Sequence, residues 1–315
     1  MKLQDLKFKN VDDYLNYWNQ FFESWKEDKA GTFQEDEVWC DHPGTGDKKL
    51  NYDLLPQPYL GDIKNHSVIT LNLNPCRTKE KAEEFKENQN NFNNADNYYE
   101  YAKEFPTYDI KFWQKQKKWF ERMGYSGSKK PFAIEICPWN SKSWKALKID
   151  QDIVDYLDKK VFDVVEKAIK YSDIKMVFSV GKAYYDIFKE SGFEAVEELS
   201  NKSDEKFILL KSSKILKENQ PYLKLQEKEE EKTIKTSKIP LHWPSKEKSN
   251  CLARTFVNRN FSIWKRNDTF YFNTWASGSN NPPAARFDNI LEDLLKKYIN
   301  LYNDPKNTFK KDPKI

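Results

Sequence analysis

One residue in the segment "PFAIEICPWN" (131–140) is out of keeping with its neighbours. Phe132, Ile134 and Ile136 alternate as in a strand against an apolar interior, and Pro138 ends the run. Glu135 stands among them. A charged carboxylate there costs several kcal/mol unless it gains a partner or a proton. Glu135 is therefore either a strand-end group paired with a lysine such as Lys142 or Lys145, or a residue with a chemical task. Other polar groups gather where apolar runs stop: Asn74-Pro75 after "SVITLNL", Gly181-Lys182 after "IKMVFSVG", and His242 to Ser245 in "KIPLHWPS". Cys40-x-His42 has the spacing of half a metal site, but no second pair completes it, so no metal is expected.

The elements that must carry these groups follow from periodicity. Residues 11–27 place Tyr14, Trp18, Phe21, Phe22 and Trp25 on one helical stripe. A Gly/Pro/Asp-rich segment, 40–62, leads to a first strand at 67–73. The Asn-rich stretch 86–105 reads as a helical insertion or a loop, and 109–124 as a helix stopped by Gly124. The segment 131–140 is a second strand, ended by Pro138, followed by a helix 151–170, a third strand 174–181 and a helix 182–191. "FILL" (207–210) reads as a fourth strand, 211–238 as a charged hairpin or linker, and 286–301 as an amphipathic helix. Strands alternating with helices predict a mostly parallel α/β sheet. In such a sheet ligands bind beyond the carboxyl ends of the strands, where the polar groups above collect.

The 315 residues suit one large domain or two small ones, and 15% of them are aromatic. Rings in such number either build a core or line a surface that stacks planar ligands. The net charge of +4 is too small to announce a nucleic-acid binder by itself. Between Leu241 and Phe270, however, Lys246, Lys248, Arg254, Arg259, Lys265 and Arg266 face only Glu247 and Asp268. A local patch of this kind suits phosphates. The four cysteines lack C-x-x-C spacing, and no apolar run is long enough to span a membrane. Cytoplasmic residence with reduced thiols, no membrane association and a monomeric state are the expectation.

Three segments resemble the uracil-DNA glycosylase superfamily, most closely its single-strand-selective monofunctional branch. "LNLNPC" (71–76) resembles the family motif G-x-N-P-G, with Asn74-Pro75 in place, Asn72 at the first Gly and Cys76 at the last. "FAIEICPW" (132–139) resembles the base-reading strand, with Glu135 where the branch carries Asn. "LHWPS" (241–245) resembles H-P-S, with Trp243 inserted. "VFSVG" (177–181) fits the intervening strand. The resemblance implies a three-layer α/β fold, with a short mostly parallel central sheet flanked by helices, in a single glycosylase-like domain over 1–315. An insertion around 76–110, the charged segment 211–238 and a basic aromatic extension, 246–315, would complete it.

It also implies roles. Such enzymes flip a nucleotide from the stack and hydrolyse its N-glycosidic bond, without a cofactor. By resemblance Asn74 positions the water, His242 hydrogen-bonds base O2 to stabilise the leaving group, and Pro75 and Cys76 border the base. Ser245 and Lys246 grip phosphate, with Lys248 and Arg254 in support. Tyr59, Phe85 or Phe92 would stack on the base, and Trp243 would lie against it. An Asn amide matches the O4 acceptor and N3–H donor of uracil. Cytosine inverts that edge, and a protonated Glu135 would both accept from N4–H and donate to N3. One residue then serves as reader and acid, on a modified cytosine such as the glucosylated hydroxymethylcytosine of phage DNA, in antiphage defence. Two other readings stay open: repair of uracil or deaminated bases, and a glycosylase-fold module that binds nucleic acid without catalysis.

Overall fold

The computed structural model describes residues 7–28, 37–40, 50–52, 54–73, 92, 95–104, 111–123, 129–141, 149–199, 259–276, 281–283, 291, 295, 296 and 298. In chain order the helices are α1 (Val11–Glu27), α2 (Glu37–Cys40), α3 (Tyr98–Glu104), α4 (Lys111–Arg122), α5 (Gln151–Leu157), α6 (Asp163–Ala168) and α7 (Lys182–Glu190). A π-helical segment, Asp158–Phe162, joins α5 to α6, and a 3₁₀ turn, Ile169–Tyr171, follows α6. The strands are β1 (Tyr59–Leu60), β2 (Ile69–Asn72), β3 (Phe132–Glu135), β4 (Met176–Val180), β5 (Glu194–Leu199), β6 (Arg259–Arg266) and β7 (Thr269–Ala276). The chain falls into two compact units. The first holds Met1–Ile110, Gly127–Ser179 and Asp186–Phe193; the second holds Lys111–Ser126, Val180–Tyr185 and Glu194–Ile315.

In the first unit β2 pairs in parallel with β3, from Ile69↔Phe132 to Asn72↔Glu135, and with β4, from Ile69↔Val177 to Leu71↔Ser179. The short β1 runs antiparallel beside β3, Tyr59 opposite Ile134. All four strands are buried. Their residues are mostly apolar on both sides, as strands buried on both faces are. α1 starts at Asn10, whose side-chain oxygen accepts from Asp13 N at 3.0 Å. Its aromatic stripe turns entirely inward. Phe22 stacks on Tyr98 at 3.9 Å between ring centroids, and Tyr14 packs on Tyr59 at 5.5 Å. Phe21 meets Trp18 at 5.0 Å and Trp139 at 6.3 Å. These rings are a core. They do not form a stacking surface.

The helix expected over 151–170 is interrupted. Asp150 caps it by accepting from Ile153 N at 3.2 Å, and the ladder then widens to π spacing over five residues. Lys160, within that widened turn, is buried. Its ammonium donates to Tyr17 OH at 2.7 Å and lies 4.8 Å from the Tyr156 ring and 4.9 Å from the Tyr17 ring. Periodicity could not show this, because one extra residue per turn shifts the phase without changing composition.

In the second unit β5, β6 and β7 are all antiparallel, with a bulge between Ala195 and Glu197. The β6–β7 hairpin turns on Asn267-Asp268, with Asn267 at φ 51. A two-residue turn with left-handed Asn matches the twist of its strands. Trp119 of α4 stacks on Phe120 at 5.0 Å and approaches Phe272 at 6.1 Å. Tyr185 packs between Trp264 and Trp275. The expectation of a mostly parallel sheet is corrected here. Only β2, β3 and β4 are mutually parallel; β1 and the strands of the second unit run antiparallel, so the fold is mixed α/β. "FILL" (207–210), the segment 211–238 and "KIPLHWPS" lie outside the described residues.

Two residues test how the first unit holds together. A Cβ at Gly61, where φ is +90, would come within 2.6 Å of Pro131 O. G61A should therefore lower the unfolding free energy by about 1–3 kcal/mol through strain at the β1–β3 edge. A urea midpoint equal to wild type would show that this edge yields easily. His66 is fully buried, its Nδ1–H donating to Asp62 O at 3.2 Å. Burial pushes its pKa down from 6.5 to about 4, against the opposing effect of the hydrogen bond it donates to the Asp62 carbonyl. Protonation therefore favours the unfolded chain. The stability held above about pH 6.5 is lost as pH falls toward 4, by at most roughly 3 kcal/mol. Wild type should lose more stability than H66F between pH 7 and pH 4.5 in parallel denaturant titrations; equal losses would exclude His66 as the cause.

Candidate functional site

The parallel pairing of β2 with β3 sets the site. Both strands are four residues long and in register, so their last residues, Asn72 and Glu135, are neighbours on one face. Asn72 Nδ2 donates to Glu135 Oε1 at 3.0 Å. Glu135 is 6% exposed and Asn72 8%. Thr70, two residues before Asn72 and 2% exposed, shares their face opposite Ala133. A short polar stripe thus runs to the carboxyl ends of two apolar strands. Asn72 Oδ1 and Thr70 Oγ1 have no hydrogen-bonding partner among the described residues. Buried polar atoms in that state are uncommon and call for a reason.

A strap formed by residues 51–58 fixes the strand end. Pro58 O accepts from Glu135 N at 2.9 Å, and Gln57 N donates to Pro138 O at 2.7 Å. Asn51 N donates to Asn140 O at 2.7 Å, while Asn140 Nδ2 returns to Leu55 O at 3.2 Å. On the other side Ile136 N and Cys137 N donate to Asn72 O and Leu73 O, extending the pairing past the regular strands. Cys137 is fully buried, its Sγ 3.7 Å from Trp139 O. Backbone on both flanks therefore sets the direction of the Glu135 side chain. Tyr98, whose hydroxyl donates to Tyr59 O at 2.9 Å, has its pKa pushed well up by burial, with neighbouring tyrosines and Glu135 adding to the effect.

Several expected site residues are accounted for here. Glu135 lies buried at a strand end, with Asn72 as a described partner; Lys142 and Lys145 lie outside the described residues. Tyr59 and Phe92 do not serve as stacking surfaces. Both are fully buried, Tyr59 against Tyr14, Tyr98 and Phe132, and Phe92 against Phe22, Tyr98 and Tyr101. Asn74, Pro75, Cys76, Phe85, His242, Trp243, Ser245, Lys246, Lys248 and Arg254 lie outside the described residues. Among the described residues no three His, Cys, Asp or Glu side chains group as metal ligands, and no helix is long and apolar enough to cross a membrane. The residue that sequence reading passed over is Asn72, taken only as a change in a motif. Its signal was positional: it closes one buried strand as Glu135 closes the next.

The chemistry open to this pair follows from its atoms. Oε1 already accepts one amide N–H and, as a carbonyl-type oxygen, has a second lone pair. Oε2 can carry a proton and donate it. Asn72 Oδ1 is an acceptor. The set can therefore offer acceptors and one donor to a planar polar ligand, with no metal. No protein-family model matches the chain, and no curated protein or solved structure shows a significant match to it.

Removing the carboxyl should separate pairing from charge. E135Q keeps an oxygen for Asn72 Nδ2 and should unfold at a denaturant concentration close to wild type. E135L leaves that buried amide without its acceptor and should cost about 1–3 kcal/mol. Equal stability of E135L and wild type would mean that the Asn72–Glu135 bond contributes nothing to folding.

Proposed function

We propose that the chain is a monofunctional DNA glycosylase that excises a modified cytosine. The observation carrying this reading is the buried Glu135, held by Asn72 at the carboxyl ends of two parallel strands. It lies where the superfamily resemblance puts the base-reading side chain. The order of "LNLNPC", "FAIEICPW", "VFSVG" and "LHWPS" along the chain supports it.

In this reading the target nucleotide leaves the helix and presents its Watson–Crick edge to Glu135. The neutral carboxyl accepts from N4–H and donates its proton to N3. Burial favours that neutral form, since a carboxylate loses hydration there. As the C1′–N1 bond breaks, its electron pair moves into the ring, and the N3-protonated base departs neutral. C1′ becomes oxocarbenium-like and is captured by a water that Asn74 positions. The proton released by that water restores the Glu135 carboxyl. His242 hydrogen-bonds O2 and steadies charge on the departing base, while Ser245 and Lys246 hold backbone phosphate, with Lys248 and Arg254 beside them. The products are free base and an abasic site.

Excision of ordinary cytosine would damage the host genome, so the natural substrate is assigned to a base that host DNA lacks. Glucosylated hydroxymethylcytosine in phage DNA fits, which makes the protein an antiphage factor.

The test is base release, followed by mass spectrometry, from DNA carrying uracil, cytosine, hydroxymethylcytosine or its glucosylated form. Wild type should release the modified cytosine. E135A should lose about 100-fold or more in rate, the usual contribution of a general acid, and E135N should lose cytosine-type activity as well. Full activity of both variants on the preferred base would remove Glu135 from the mechanism.

A further inference from the structure

The Asn72–Glu135 pair carries a specificity that the reader role of Glu135 alone does not. Asn72 stands in register with Glu135, is 8% exposed and spends its amide nitrogen on Glu135 Oε1 at 3.0 Å. Its own oxygen, Oδ1, is buried and meets no donor among the described residues. A buried acceptor left so is destabilising, and a ligand donor would remove that penalty. Resting on the reading above, we propose that Asn72 Oδ1 and Glu135 Oε1 together bind both hydrogens of the exocyclic amine of a cytosine-type base, so that the site selects for an unsubstituted N4 amino group.

The geometry supports this division. The Asn72 amide bridges the two side chains, so its oxygen is held within one amide's width of the Glu135 contact. The bond from Nδ2 also marks Oε1 as an acceptor, which leaves Oε2 as the oxygen that carries the proton. An amine has two N–H groups; one carboxyl oxygen and one amide oxygen match them. Uracil, with O4 in place of the amine, would face Oδ1 with a second acceptor, and the pair would repel it. The two changes therefore work together: Asn72 at a position where the resembled motif has Gly, and Glu135 where it has Asn. Asn72 is a specificity-determining residue that also positions Glu135.

The experiment compares oligonucleotides carrying 5-hydroxymethylcytosine or its glucosylated form with the N4-methyl derivative of each, in both single strands and duplexes. Methylation removes one donor and adds bulk where Asn72 lies. Wild type should lose roughly 100-fold in kcat/KM on N4-methylation, the scale set by leaving one buried acceptor unpaired. N72A, which removes the acceptor and opens space for the methyl, should bring that ratio to within about 3-fold of unity. N72D keeps an acceptor oxygen and should retain the preference. A ratio unchanged in N72A overturns the proposal, and so does a wild-type protein indifferent to N4-methylation, whether or not N72A folds. If wild type releases no base at all, the glycosylase reading fails separately. The same comparison is then made by fluorescence anisotropy on oligonucleotides with 2′-fluorinated sugars. An N4-methyl penalty in wild-type binding that N72A erases upholds the pair, and its absence or persistence in N72A overturns it.

Discussion

A carboxyl group withdrawn from water, at the point where two parallel strands end in register, is the constraint from which the rest of this molecule can be understood. Hydrogen bonds from the strap at 51–58 and from β2 clamp the backbone around Glu135, and Asn72 supplies a side-chain partner. An ionic group in such surroundings needs several compensations at once, and a neutral one needs fewer. Burial of this carboxyl and local rigidity are thus two aspects of one arrangement. The hydrogen bond between the two side chains fixes the direction of each where the strands end.

The aromatic content has a second meaning in this light. Tyr14, Trp18, Phe22, Tyr59, Phe92 and Tyr98 form a continuous set of ring contacts in the first unit. Each ring buries a large area, and edge-to-face pairs add about 0.5–1.5 kcal/mol apiece beyond that burial. Such a packed wall keeps the strands straight and the strand ends in place. The rings that seemed available for stacking on a ligand instead make the scaffold stiff. Lys160 joins this wall, its ammonium lying over the faces of Tyr17 and Tyr156.

What the sequence disclosed depended on whether the property was local. α1 was legible to its ends, because one stripe of rings at helical spacing and a capping Asn10 lie within a single segment. β2, β3 and β4 were legible as apolar runs between turn residues. Strand direction was not: parallel and antiparallel partners demand similar residues, so the antiparallel β5–β6–β7 set was missed, although Asn267-Asp268 between two aromatic eight-residue strands was a readable hairpin signal. The π turn was hidden because one extra residue in a turn leaves no mark in composition. Of the candidate site, Glu135 was legible from its conflict with its neighbours. Its tie to Asn72 was not, since cross-strand register is decided by the pairing of segments about sixty residues apart.

Cys137 gives the arrangement an internal clock. Its thiol lies two residues beyond Glu135, fully buried, with its amide bonded to Leu73 O. Alkylating reagents reach such a sulfur only in molecules whose strand ends have parted, so the pace at which it is labelled measures how often this region breathes. Any ligand that settles beside Asn72 would slow that labelling without touching the cysteine. Occupancy can thereby be followed chemically even when nothing is turned over.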